Sequence, residues 1–483
     1  MSHSNKRRKD TRGSLPSDSG SAVDRVEIPA RRGGAAAVAP AVPEPERAPP
    51  RLRTANRQQL LDPRTIDELL ELTHPARAVW RYVEGLDLSE LYDRIRARGS
   101  DPGSPAIDPR LLVAVWLYAT LQHVPSARAL ADLCVRHDAY KWLLGGVHVN
   151  AHTLSDFRVA HPDFLQRLLE HSVNVLRQQG LVDLDRVAQD GVRVRASAGA
   201  ASFRTRRTLE RLLHEAQDEL QALQEESDSS TDRTAEQSVT SEPESARRPP
   251  EPSAQQRSAA RRHARERVER IQQALTRVAE LEAKKKPEDP DPRVSTTDPE
   301  ATVMKMPDGG YRPAYNVQYS TACGSRVVVG SDVVMVGNDQ GQLPPMLDQI
   351  EQRFEQRPKE ALVDGGFVRL QDIEELQSGA KPTTVYAPVP QPKKEGVERY
   401  QAKRGDTAEV AEWRVRMGSD EAKEIYKQRA ATAECINAQA RNRGLVQFLV
   451  RGLQKVRTVA LWFAVVNNMA CSFLLQAQPM GSG

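Results

Sequence analysis

The spacing of hydrophobic positions changes along the chain, and each change marks a different kind of element. From about residue 56 to 180 they recur at threes and fours, as on one face of a helix. Leu111, Leu112, Val115, Leu117 and Leu121 follow Asp108-Pro109, an N-cap and first-turn pair that opens a helix. A second helix is expected from Ser126 through Leu130, Leu133 and Cys134. A third is expected to start at Thr153-Leu154-Ser155-Asp156-Phe157-Arg158 and to run on through Phe164, Leu165, Leu168 and Leu169. Further on, Leu209, Leu212, Leu213, Leu220 and Leu223 form a stripe on a strongly charged helix, and Val268, Ile271, Leu275, Val278 and Leu281 form another. Between them, residues 226 to about 256 are rich in Ser, Glu and Pro and are expected to be disordered. Two amphipathic helices joined this way predict an antiparallel coiled-coil arm over 205–290.

From Arg293 the period shortens. Tyr315-Asn316-Val317-Gln318-Tyr319 and Arg326-Val327-Val328-Val329-Gly330 predict a hairpin turning at Ala322 to Ser325. Asn338-Asp339 with Gln342 resembles a capping box for a helix carrying Leu343, Met346, Leu347, Ile350 and Phe354. A strand before Asp364, a helix near Leu370 to Leu376, a strand at Thr383 to Tyr386, a loop over 389–407 and terminal helices complete the order. Thr458 to Leu475 is apolar but holds Asn467 and Asn468 at its centre, so a buried helix is expected rather than a membrane span.

Composition adds a few limits. The chain has 483 residues and a formal net charge of only +4. Its basic residues gather at the N-terminus, including Lys6-Arg7-Arg8-Lys9, and between Lys423 and Arg457. Cys134, Cys323, Cys435 and Cys471 have neither metal-ligand nor disulfide-framework spacing and are read as reduced thiols in a cytoplasmic protein. Met1 is followed by polar and basic residues without an apolar signal segment. His152, His161 and His171 lack a ligand pattern and read as surface or packing residues. Residues 1–55 read as a disordered basic arm.

Acids carry the candidate chemistry. Arg186-Val187-Ala188-Gln189-Asp190-Gly191 and Ala361-Leu362-Val363-Asp364-Gly365 are apolar runs that stop at Asp-Gly, which predicts two carboxylates at strand tips. Glu434 lies on a later basic helix among Ala, Thr, Cys and Ile, an apolar setting in which an acid needs a paired charge or a metal. Glu409, Glu421 and Glu424 are rivals to Glu434; Asp332 and Asp339 are rivals to Asp364, the first read as a strand residue and the second as a helix cap. Three converging carboxylates repel one another and call for hard cations, Mg²⁺ or Mn²⁺, two per site.

Together these blocks resemble bacterial insertion-sequence transposases of the DDE class. The resemblance rests on Asp108-Pro109-Arg110-Leu111-Leu112 through Arg158, Arg293-Val294-Ser295-Thr296-Thr297-Asp298-Pro299-Glu300, Tyr315-Asn316-Val317-Gln318 and Val363-Asp364-Gly365-Gly366-Phe367. It implies a ribonuclease H-like α/β catalytic domain over 181–204 and 291–475, interrupted by the arm and preceded by an all-α DNA-binding domain over 56–180. It implies Asp190, Asp364 and Glu434 as catalytic and metal-holding acids, with Tyr426, Arg429 and Arg441 forming the signature around the third. Arg443, Arg451, Lys455 and Arg457 would meet DNA phosphates; Lys305, Lys393, Lys394 and Arg404, in loops bordering the site, either hold the DNA backbone or are simply solvated. The family usually has three residues between Arg and Glu; here four intervene and Arg441 replaces Lys. On a regular helix that spacing turns Arg429 about 140° from Glu434, whereas Arg441 shares the Glu434 face. The implied activity is cleavage of element ends and their transfer to target DNA. The implied partners are double-stranded DNA (terminal inverted repeats and target) and a second copy in the synapse, with no membrane, in the cytoplasm at the nucleoid. A metal-dependent nuclease, a catalytically silent DNA-binding relative and a coiled-coil scaffold are the alternatives.

Overall fold

A computed structural model describes residues 48–477 apart from 50, 58–59, 62–63, 100–103, 237–252, 289, 393–395 and 397. The basic cluster Lys6-Arg7-Arg8-Lys9, residues 1–47 of the arm expected at 1–55, and Lys393 and Lys394 lie outside the described residues; against the expectation of disorder, Leu52–Arg53 within that arm is a short strand held by Ala106–Ile107.

The N-terminal part is helical. Helix α1 (Pro75–Glu84) opens on His74, whose ring accepts from the Ala76 N–H. Helix α2 (Pro109–Leu121) begins as its sequence predicts: the Asp108 carboxylate accepts from the Arg110 N–H and Pro109 occupies the first turn. Residues Leu111 to Thr120 are all buried, so α2 forms the centre of this part rather than one face of it. Helix α3 (Ala127–Arg136) is capped by Ser126, and α4 (Asp138–Leu144) follows directly. The expected single helix from Thr153 to Leu169 is two, α5 (Ala151–Ala160) and α6 (Pro162–Gln178). The break falls at His161-Pro162, because a proline disfavours helical geometry in the residue before it and offers no N–H.

Strand β1 (Arg186–Arg195) leads into two long helices, α7 (Arg206–Glu236) and α8 (Ala254–Ala283). They lie antiparallel: Arg206 near the start of α7 pairs with Glu282 near the end of α8, and Arg267 pairs with Glu219. Leu209 and Ala216 meet Val268, Ile271, Ala274 and Val278 between them. The stretch 226–256, expected to be disordered, is helical up to Glu236 and again from Ala254.

The other strands of the main sheet begin with β2 (Thr302–Lys305), β3 (Tyr311–Ala322) and β4 (Val328–Val334). Next come α9 (Leu343–Phe354), β5 (Glu360–Leu362), α10 (Leu370–Ser378) and β6 (Thr384–Tyr386). Helices α11 (Ala408–Gly418) and α12 (Asp420–Arg429), a π turn (Ala430–Glu434), α13 (Cys435–Asn442) and α14 (Leu453–Ala477) end the chain. The sheet order is β4-β3-β1-β5-β6, with β2 also on β3. The strands β1, β3 and β4 are antiparallel neighbours, while β5 and β6 run parallel to β1. That is the order expected of a ribonuclease H-like domain.

Helix α14 is long and apolar enough to cross a membrane, but 72% of its most apolar window is buried inside the protein. It lies between the N-terminal helices and the sheet: Trp462 donates to the Arg158 carbonyl on α5, and the Ala460 carbonyl accepts from Tyr319 on β3. Asn468 explains the polar centre of this helix. Its amide both accepts from the Val328 N–H and donates to the Val328 carbonyl, where the β3–β4 register is irregular. The helical part and one face of the sheet therefore share a continuous core.

Candidate active site

Asp190 lies in the middle of β1 rather than at its tip. The strand continues to Arg195 because β3 accompanies it throughout, with Asp190 opposite Tyr319 and Gly191 opposite Gln318. The parallel partner β5 stops earlier, its Leu362 opposite Ala188. Asp190 is thus just past the point where the two parallel strands part, and its neighbour on that side is the loop carrying Asp364. Asp364 does follow a strand end. It caps a single 3₁₀ turn, its carboxylate accepting from the Gly366 N–H at 2.8 Å.

Gly191 serves close packing, not a turn. A Cβ there would come within 2.3 Å of Asp339 Oδ1, 2.5 Å of Gln318 Nε2 and 2.7 Å of Asn316 Oδ1. Asp339 is no helix cap: α9 begins at Leu343 without a side-chain cap, and the Asp339 carboxylate instead accepts from Asn316 at 2.8 Å and Gln318 at 2.6 Å. A helix cap needs only local neighbours, so sequence pattern favoured it; the amides that hold Asp339 come from a strand more than twenty residues away. Asp332 is a β4 residue, as expected, and is paired with Arg457 at 2.8 Å.

Arg429 joins the three acids. Its guanidinium is 2.8 Å from Glu434, 3.8 Å from Asp190 and 3.9 Å from Asp364. The extra residue between Arg429 and Glu434 is absorbed by the π turn over Ala430–Glu434. An i→i+5 turn stacks residues five apart as an α-helix stacks those four apart, so Arg429 and Glu434 share a face. The regular-helix expectation fails for that reason. Glu434 itself is 58% exposed, not buried. Its apolar neighbours Thr432 and Ala433 turn into the core and leave Glu434 on the outer side. Of its rivals, Glu424 pairs with Lys427, and Glu409 and Glu421 lie in the first turns of α11 and α12; none of the three pairs with Arg429.

Asp190 is the most enclosed of the three acids, with 16% of its side chain exposed. Burial is the main cause that raises its pKa, from 3.8 to about 6. Asp364 and Asp339 add to this by like-charge repulsion, while Arg429 and the Gly191 N–H oppose it. Asn437, on α13, donates to Asp190 Oδ2 at 3.0 Å and orients it. In the sequence, Asn437 carries no signal beyond its position three residues after Glu434, and Asp339 is a rival to Asp364 that reads as a helix cap instead. Burial also pushes the Tyr426 phenol up, beside Arg429 and the acids.

Among the described residues, no three His, Cys, Asp or Glu side chains stand at metal-ligand spacing. The three carboxylates are instead gathered around one guanidinium. The fit to a hard cation rests on two observations. The donor set is all carboxylate oxygen with a desolvated member. The buried Asn316 and Asn437 carbonyl oxygens beside it lack hydrogen-bond partners.

The basic residues divide. Arg441 is exposed, seven positions beyond Glu434 on the continuous α13 and so on the same face. Lys455, Lys305 and Arg404 are exposed. Arg457 is held by Asp332, and Arg451 by the Ser197 carbonyl. Arg443 is half-buried, beside Tyr319 and Cys471, and does not reach the acids. In the N-terminal part Arg158 points inward, bonded to the Pro125 carbonyl and stacked on Trp116. His161 meets Arg94 and Phe157, in keeping with a packing role.

Residues 64–160 match a family described as a transposase domain (DUF772), and residues 392–471 match one described as a transposase DDE domain. The second match holds Tyr426, Arg429, Glu434, Asn437 and Arg441, whereas Asp190, Asp339 and Asp364 lie between the two. No curated protein and no solved structure matches the chain.

Proposed function

We propose, from the premise that this chain is an insertion-sequence DDE transposase that cleaves and transfers DNA, that Asp190, Asp364 and Glu434 are its catalytic acids. The observation that carries the assignment is their common contact with Arg429 across a π turn, which brings residues from β1, the β5 loop and the α12–α13 helix to one point. DDE transposases depend on divalent metal ions; here the same three acids would hold Mg²⁺ or Mn²⁺, two ions per site. When bound, such ions polarise the phosphate and make a water or a 3′-OH nucleophilic near neutral pH.

The chain's own residues do the rest. Asn437 and the Gly191 N–H fix the Asp190 carboxylate. Arg429 offsets the charge of the acids and is placed to meet the negative charge of a scissile phosphate. Tyr426 stands beside it at the DNA end, and Arg441 and Lys455 offer exposed cations to the backbone. No covalent protein–DNA bond is required, because the freed 3′-OH is the second nucleophile. The N-terminal helices recognise the terminal repeats. The α7–α8 pair, read as a coiled-coil arm, joins two protomers or clamps DNA in a synapse, or is an inert insertion, and the protein works in the cytoplasm at the nucleoid.

The test is incubation of the protein with Mg²⁺ and labelled DNA ending in the element's terminal repeats, beside Asp190→Ala, Asp364→Ala and Glu434→Ala. Cleavage and joining lost in all three, with DNA binding kept, is the expected result. Activity that survives any one substitution removes that acid from the site. Cleavage without joining means a nuclease, and binding without cleavage a silent relative.

A further inference from the structure

Asp339 is a carboxylate that the three-acid reading leaves unused. Its first oxygen is clamped by two amides on β3, Asn316 and Gln318, each only 1% exposed. Gln318 is fixed in turn by Gln189 of β1 at 3.0 Å. Three side chains thus set the direction of one carboxylate, a large commitment of buried polar groups for a residue that caps nothing.

That direction is toward Asp364. Asp339 Oδ2 and Asp364 Oδ1 lie 3.7 Å and 3.0 Å from one point, the position a Cβ on Gly366 would take. Gly366 is exposed and has no positive φ, so no backbone strain requires a glycine there. What its missing side chain does is keep a gap open between two carboxylates. On the Gly191 side of the same Asp339 carboxylate, Asn316 Oδ1 is buried and lacks a hydrogen-bond partner; it lies 2.7 Å from the Cβ position of Gly191, which is itself 2.3 Å from Asp339 Oδ1. A gap lined by oxygens of two carboxylates, one of them flanked on its far side by an orphaned carbonyl oxygen, suits a hard divalent cation and its water shell.

We propose that Asp339 is a fourth carboxylate of the active site, sharing with Asp364 a divalent cation held over Gly366. The inference rests on the reading of Asp190, Asp364 and Glu434 as the metal-holding acids and extends it. It also accounts for Asn316 and Gln318, which hold the fourth carboxylate in place. With Asp339 the site gathers four acids, three of them around Arg429, a set that suits two divalent cations together with a phosphate.

The test is a Mn²⁺ titration of the full chain without DNA, reading free Mn²⁺ by electron paramagnetic resonance. Asp339→Asn keeps the acceptor for Asn316 and Gln318 but removes the charge. It is expected to weaken Mn²⁺ binding about tenfold or more, the usual effect of losing a group that supports a metal site. Gly366→Ala, which fills the gap without touching the clamp, is expected to weaken binding in the same direction. In EDTA, Gly366→Ala should unfold at the wild-type temperature, and Asp339→Asn at that temperature or slightly above it, because it removes a like charge from beside Asp190. Mn²⁺ affinity within twofold of wild type in both variants, while Asp364→Asn loses it, overturns the proposal and leaves Asp339 a structural acceptor only. Binding unchanged in Asp190→Asn and Asp364→Asn as well overturns the underlying reading of the site.

Discussion

Replacing Asp190 by Asn should stabilise the protein while inactivating it. Enclosure raises the Asp190 pKa from 3.8 to about 6. An acid that holds its proton more tightly folded than unfolded contributes stability only while protonated. Between those two values the native state carries the extra proton, so stability falls as pH rises through about 4 to 6 and stays lost above it. At 1.36 kcal/mol per pKa unit, the gap between 3.8 and about 6 corresponds to about 3 kcal/mol at pH 8. The introduced amide would keep an acceptor for the Gly191 N–H but would turn its own donor toward the donor of Asn437, which offsets part of the gain. A net stabilisation of about 1–3 kcal/mol is expected, a large fraction of what holds a domain folded. Urea unfolding followed by circular dichroism, in EDTA at pH 4.5, 6 and 8, reads it. The gap between Asp190→Asn and wild type should widen with pH, and Mg²⁺ at pH 8 should narrow it by stabilising the wild type alone. A variant less stable than wild type at pH 8 in EDTA, or a gap that ignores pH, would refute the account of Asp190 as a strained, desolvated carboxylate.

Other expectations follow from the same contacts. Deleting Ala431, an exposed residue of the π turn, restores the common three-residue spacing and should let the segment close as a regular α-helix. Cleavage should persist with unchanged helix content, and a folded but inactive deletion would show that the site needs the wider turn. Gly191→Ala should cost about 1–3 kcal/mol by overpacking, because its Cβ has no room beside Asp339, Gln318 and Asn316; thermal unfolding measures this, and an unchanged midpoint would mean the clamp is loose. Asn468→Ala should strip both partners from the Val328 peptide and destabilise by about 2–5 kcal/mol, seen as a lower urea midpoint, with a neutral result implying that water replaces the amide.

Local signals and long-range contacts account for what the sequence did and did not disclose. Asp108-Pro109, Ser126 and the apolar spacing announce their helices because capping and amphipathicity act within one or two turns. The strand order is legible because hairpin and crossover signals occur in chain order. The misreadings arise where a distant element decides. Asp-Gly looks like a strand end at both Asp190 and Asp364, but only β3, some 120 residues on, keeps β1 extended past Asp190 while β5 stops. Asp339 looks like a cap until Asn316 and Gln318 are seen to hold it. The glycines beside the two aspartates share a purpose that no local pattern expresses: each leaves space next to a carboxylate, Gly191 for Asp339 and Gly366 for the gap between Asp339 and Asp364. The π turn carries the same lesson. Counting residues from Arg429 to Glu434 on an ideal helix points them apart, yet the attraction between one guanidinium and three carboxylates is satisfied only if the helix yields. A π turn at this position is therefore what the site's electrostatics require of a segment one residue too long, and the added residue changes the helix rather than the chemistry.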